Sequence, residues 1–125
     1  MNKILRFYLT AAAVAFFGAF VVQTFLPQIG GTGTRWGLAP GWQREIGFWN
    51  VAMLVIILGV LTKTDASSAR IVVRGLLVLG ILLGTNHLFA IITDPQGWAH
   101  YTPMIVNYVG VIVGWLALLR PDQDA

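Results

Sequence analysis

The chain has 125 residues, 57% of them hydrophobic and only 10% charged, with eight basic side chains against five acidic ones. That length makes one domain, and a soluble domain carries roughly 25% charged residues. A mean hydropathy of +0.75 therefore leaves the lipid bilayer as the solvent for most of the chain. The basic residues are scattered beside apolar runs and form no patch, so the excess is read as membrane topology and no nucleic-acid partner is expected. Cysteine is absent, which excludes disulfides, thiolate chemistry and cysteine-ligated metal.

Four apolar runs follow in order, at residues 7–26, 46–61, 71–92 and 104–119. A spanning helix needs roughly 17–25 residues, which the first and third supply. The second and fourth reach it with Trp, Tyr and Arg at their ends. None shows the alternation of a barrel strand, so helices are expected at about 5–26, 44–62, 70–93 and 103–120. The small-residue triplets of Ala11 to Ala15 lie inside a run longer than the roughly 7–15 residues of a signal peptide, and the first helix is expected to be retained. With the N-terminus inside, Lys3, Arg6, Lys63, Arg70, Arg74 and Arg120 are cytoplasmic, and only Arg35 and Arg44 lie outside. The reading is an all-α, single-domain polytopic protein. It is an antiparallel bundle of four transmembrane helices with both termini in the cytoplasm, in a bacterial plasma membrane.

The connections are expected to be loops at 27–44, 62–69 and 94–103. The glycine-rich GGTGTR at 30–35 lacks the Lys-Ser/Thr of a P-loop and reads as an external loop or lid.

The polar residues of the helices all fall toward the outer side: Gln23, Glu45, Asn50, Asn86, His87 and Asn107. On the third helix Gly80, Gly84 and His87 share a face. On the fourth, Asn107, Gly110 and Gly114 do the same, and small residues on both faces allow close approach. Packing glycine on glycine would bring His87 and Asn107 to one depth. On the first helix Ala15 and Ala19 lead outward to Gln23. Glu45 is expected in the first turn of its helix, where an acid favours the dipole. His87 changes charge near neutral pH, whereas His100 is read as part of an interfacial belt with Trp98 and Tyr101. Their spacing does not suggest haem ligation, and neither a cofactor nor a metal is expected.

The runs WQREIGFWN at 42–50 and GTNHL at 84–88 resemble small bacterial membrane proteins with an acid–Ile–Gly–aromatic–x–Asn motif, and the overall layout is similar to DoxX-like proteins. The resemblance implies a four-helix bundle and supplies no activity. Small multidrug-resistance exporters share the length, but residues 10–20 lack the glutamate of their first helix.

The expected function is a non-enzymatic membrane module. It is either an accessory subunit of a homo-oligomer or larger complex, or a binder of a lipid or quinone in an outward-opening pocket lined by Gln23, Glu45, Trp49, Asn50, Asn86, His87 and Asn107. An enzyme using Glu45 and His87 as acid and base is the alternative. It is weakened because Glu45 and Asn50 lie about 140° apart around a helix. A small oligomeric transporter ranks third, since no charge lies at mid-depth.

Overall fold

A computed structural model describes residues 1–63 and 65–122. Among them the chain is helical, without a strand. It forms α1 (Lys3–Phe25), a short α2 (Pro27–Gly31), α3 (Pro40–Lys63), α4 (Ala66–Thr93), a 3-10 turn (Trp98–His100) and α5 (Tyr101–Leu119). α1, α3, α4 and the turn with α5 are each long and apolar enough to cross a membrane, and between 11% and 28% of each span is buried within the protein. The rest of those apolar surfaces, including Phe7, Val14, Val55, Ile71 and Ile112, face outward and need lipid. The protein is an all-α polytopic bundle, and multi-pass.

Local chemistry sets the helix starts, and it shortens the loops expected from hydropathy. The Asn2 side chain accepts from the Leu5 N–H at 2.8 Å and caps α1. Asp65 caps α4 through the Ser67 and Ser68 N–H groups at 3.0 and 3.1 Å, with the Ser68 hydroxyl on the same carboxylate, so the 62–69 segment is mostly helix. The 27–44 segment is also partly helical. Pro27 and Pro40 open α2 and α3, where the missing N–H has no helical acceptor anyway. The Gln43 N–H donating to the Ala39 carbonyl at 3.0 Å shows α3 wound before residue 44.

α1 packs along α3 and α4 along α5. The α1–α5 contact joins the two pairs, while α3 and α4, adjacent in sequence, barely touch. The buried core, with Leu5, Leu9, Ile57 and Val73 fully enclosed, lies toward the end that carries the termini. There α5 ends among donors from two other helices. Arg70 gives its guanidinium to the Leu118 and Arg120 carbonyls, each at 2.8 Å. The Asn2 amide reaches the Ala117 and Arg120 carbonyls at 3.2 and 3.1 Å. These carbonyls have no acceptor role left inside the helix, so Arg70, expected to mark topology, also caps α5 together with Asn2.

The glycines make close contacts, though not with one another as expected. A Cβ on Gly80 would lie 2.9 Å from Val111 Cγ2 and 3.3 Å from the Asn107 carbonyl. On Gly84 it would lie 3.1 Å from the Tyr108 ring, and on Gly114 2.7 Å from Leu77 and 2.9 Å from Tyr8. Each glycine receives a large side chain from a facing helix. Gly110 meets nothing within 4 Å and lies off the seam. Ala15 is exposed and Ala19 half-buried; the close approach of α1 to α3 instead uses Gly47, against Thr24 and the Phe20 carbonyl.

Two predictions follow from this packing. Gly80→Val and Gly114→Val overpack the seam and should each destabilise the bundle by about 1–3 kcal/mol, whereas Gly110→Ala should leave it unchanged or slightly firmer; reversible unfolding in detergent measures both. The second concerns Asp122, whose carboxyl the Arg70 hydrogen bond holds below the usual carboxylate range. Because the folded value is the lower one, its contribution is complete at neutral pH and is lost as pH falls through that value. The unfolding midpoint should drop below roughly pH 4, and Asp122→Asn should remove part of that acid limb.

Candidate functional site

The seven expected site residues are divided among separate partners. Gln23 and Asn50 meet: the Asn50 amide donates to Gln23 Oε1 at 2.8 Å and links α1 to α3. Asn50 is buried, and the neighbouring Gly47 lets the two backbones come close enough for the pair to form.

Asn107 turns back on its own helix, its amide donating to the Pro103 carbonyl at 2.7 Å. It lies opposite Gly80, while His87 lies opposite His100. Asn107 has its carbonyl against Gly80 and is followed by Tyr108, whose ring lies against Gly84, so it lies deeper than His87. The expectation of one shared depth fails because α5 is preceded by a helical turn from Trp98, which places residue 100 beside residue 87. Level with Gly84, the Thr85 and Tyr108 hydroxyls share a hydrogen bond of 3.1 Å.

Glu45, Trp49 and Asn86 are exposed, and among the described residues Glu45 and Asn86 have no side-chain hydrogen bond or ion pair. Since α3 begins at Pro40, Glu45 lies beyond the first turn, and its expected pairing with the helix dipole is not formed. Trp49 is 73% exposed and directed away from the bundle.

His87 has a partner that hydropathy reading assigned to an interfacial belt. His87 Nδ1 and His100 Nδ1 are 3.0 Å apart, and His100 is wholly buried. The loop at residues 32–39 lies over this pair. The Arg35 N–H donates to His100 Nε2 at 3.1 Å, and the Trp36 ring centre is 5.0 Å from that of His87 and 4.5 Å from that of His100. The Ala99 N–H donates to the Gly33 carbonyl at 3.1 Å. Gly33 has to be glycine, because a Cβ there would lie 2.7 Å from the Trp98 indole nitrogen. Gly37 turns the loop with a φ of 72°, a conformation that favours glycine. The loop is thus fastened to the α4–α5 turn by one backbone–backbone hydrogen bond, one from the Arg35 N–H to the His100 ring, and an aromatic contact. Arg35, Trp36 and His100 were missed as members of this cluster. The signal available for them was that Gly33, Gly37 and Gly97 punctuate two loops that carry aromatic and histidine side chains.

Two clefts lie at the other end of the bundle. One is bounded by Asn2, Lys3, Arg120 and Asp122 and belongs to the cap of α5. The other is a crevice of about 230 Å3 between α3 and α4. Val55, Gly59 and Val60 wall it, and Lys63, Asp65 and Ser68 stand at its mouth.

The Gln23–Asn50 pair provides a direct measure of what polar contacts contribute here. A double-mutant cycle with Gln23→Leu and Asn50→Leu should give a coupling of about 0.6 kcal/mol, the mean for hydrogen bonds between membrane helices; a value near zero would mean the pair does not form. No family model, curated protein or solved structure matches this chain, so its function is argued from its own geometry.

Proposed function

We propose that the protein is a non-enzymatic module of a bacterial plasma membrane that holds a membrane lipid in the crevice between α3 and α4. The observation that carries this reading is the separation of those two helices. They are joined by a short connection and yet barely touch, leaving an apolar-walled space with a polar mouth. At about 230 Å3 the crevice falls below the roughly 300–1,000 Å3 of sites for drug-sized ligands.

Lys63 is the group at the mouth that would draw an acidic headgroup. The Asp65 carboxylate is engaged with Ser67 and Ser68 at the start of α4, and the Ser68 hydroxyl, then the backbone, hold it below the usual carboxylate range. Lys63 has no ion pair among the described residues. A phosphate at the mouth would meet the Lys63 ammonium, while the Ser68 hydroxyl stays with the Asp65 carboxylate at the start of α4. In the orientation that the basic residues favour, this mouth lies at the cytoplasmic headgroups.

An acid–base enzyme finds less support. Glu45 is exposed and makes no hydrogen bond to His87, whose polar partner is His100. Of the amides that would orient a substrate, Asn50 is engaged with Gln23 and Asn107 with backbone, while Asn86 is exposed on α4.

Gly59 provides the test, because a Cβ there meets nothing within 4 Å. Gly59→Leu should fill the crevice without disturbing the helices, and Gly110→Leu serves as the control on open surface. Native mass spectrometry from mixed phosphatidylglycerol–phosphatidylethanolamine nanodiscs should show retained lipid falling severalfold in Gly59→Leu and unchanged in the control. Lys63→Gln should abolish the preference for phosphatidylglycerol. Equal retention in Gly59→Leu and the native chain would overturn the reading.

A further inference from the structure

At the loop end, one backbone group settles the position of both ring protons in the histidine pair. The Arg35 amide can only donate, and it faces His100 Nε2 from 3.1 Å, so that nitrogen presents a lone pair. His100 therefore carries its proton on Nδ1 and donates to His87 Nδ1 at 3.0 Å, which leaves the His87 proton on Nε2. The contact is head-on. The 5.3 Å between ring centres equals the 3.0 Å gap plus one ring radius on each side, so the nitrogens face each other along a line. That line holds one proton.

We propose that the pair is an acid-sensitive clasp, in which one added proton unfastens the loop at residues 32–39 from the α4–α5 turn. The added proton comes from water and binds a ring lone pair, and the only bonds broken are hydrogen bonds. If it enters at His100 Nε2, an N–H is set against the Arg35 N–H. If it enters at His87 Nδ1, an N–H is set against the His100 Nδ1–H. His100 can avoid that only by moving its proton to Nε2, against Arg35 again. Every route breaks a link in the same chain of donors. The new cation is also enclosed, since His100 is wholly buried and Trp36 lies beside both rings. A buried charge with no carboxylate in ion-pair contact among the described residues is costly, and release of the loop opens the pair to water.

The titratable and charged groups on the elements packed around the pair are few. The loop carries Arg35. The end of α4 carries Asp94, whose charge reaches His100 and whose carboxylate accepts the Gln96 N–H at 3.2 Å. The start of α5 carries Tyr101, whose hydroxyl donates to the Pro95 carbonyl at 3.3 Å. None of them stands between the two rings, so the pair itself takes the proton.

The chain has only two histidines, so a 15N-imidazole spectrum of the full-length protein in nanodiscs contains this pair alone. At about pH 8, one ring should be protonated on Nδ1 and the other on Nε2, with His87→Gln assigning them. Titration from there into the acid range should convert the two tautomers together. In the same interval, amide exchange at residues 32–39, corrected for its intrinsic pH dependence, should rise about tenfold or more while the α1 core stays protected. Identical tautomers in the two rings, or titration with no change in loop exchange, would overturn the proposal, and both readouts come from the native sequence without relying on a variant that folds. Lipid retention at the α3–α4 crevice is a separate measurement, so either idea can fail alone.

Discussion

Every polar group that a membrane helix cannot place in water must find its partner inside the protein, and the two ends of this bundle are built around that constraint. At one end the last carbonyls of α5 lie in the grip of Arg70, near the start of α4, and of Asn2, the N-cap of α1. At the other, the Arg35 amide is satisfied by His100 and His100 by His87. Each of these bonds joins different elements, so satisfying the donors and acceptors also fixes how the helices stand relative to one another. The apolar contacts between the two ends have little selectivity of their own, because lipid is as apolar as leucine.

The seam between α4 and α5 shows how packing supplies the selectivity that burial does not. Gly80 and Gly84 clear space for Val111 and Tyr108, and Gly114 clears it for Leu77 and Tyr8. These insertions set the register of the two helices to within a turn. That register carries the loop-end chemistry: it places His87 against His100 and leaves Asn107 deeper, bonded to its own helix. The same pairing of α1 with α3 and α4 with α5 has a second consequence. It leaves α3 and α4 with little hold on each other, and the crevice opens between them beside their connection.

Several members of the candidate site were legible in the residues themselves. Gln23 and Asn50 stand out as amides in apolar helices, and they meet. His87 stands out in the same way, and it has a buried polar partner. His100 was not legible as that partner. It sits beside Trp98 and Tyr101 in a short loop whose composition is that of an interface, and nothing in the local pattern shows that a second loop, more than sixty positions earlier, covers it. Glu45 was read as a first-turn residue because apolarity begins near residue 46, whereas α3 begins at Pro40, since a proline can open a helix in a stretch that is not hydrophobic.

What the sequence by itself determined is the solvent, the number of crossings and their helical form. These follow from apolar length and from the absence of charge, quantities that add up along a chain without reference to any neighbour. Only the tertiary structure decided which helices pair, the depth at which each polar group lies, and which glycines are seams and which are open surface. Those depend on register, and register is set by a few side chains meeting across helices far apart in sequence. A shift of one turn along α5 would keep every hydropathy feature of the chain and separate His87 from His100.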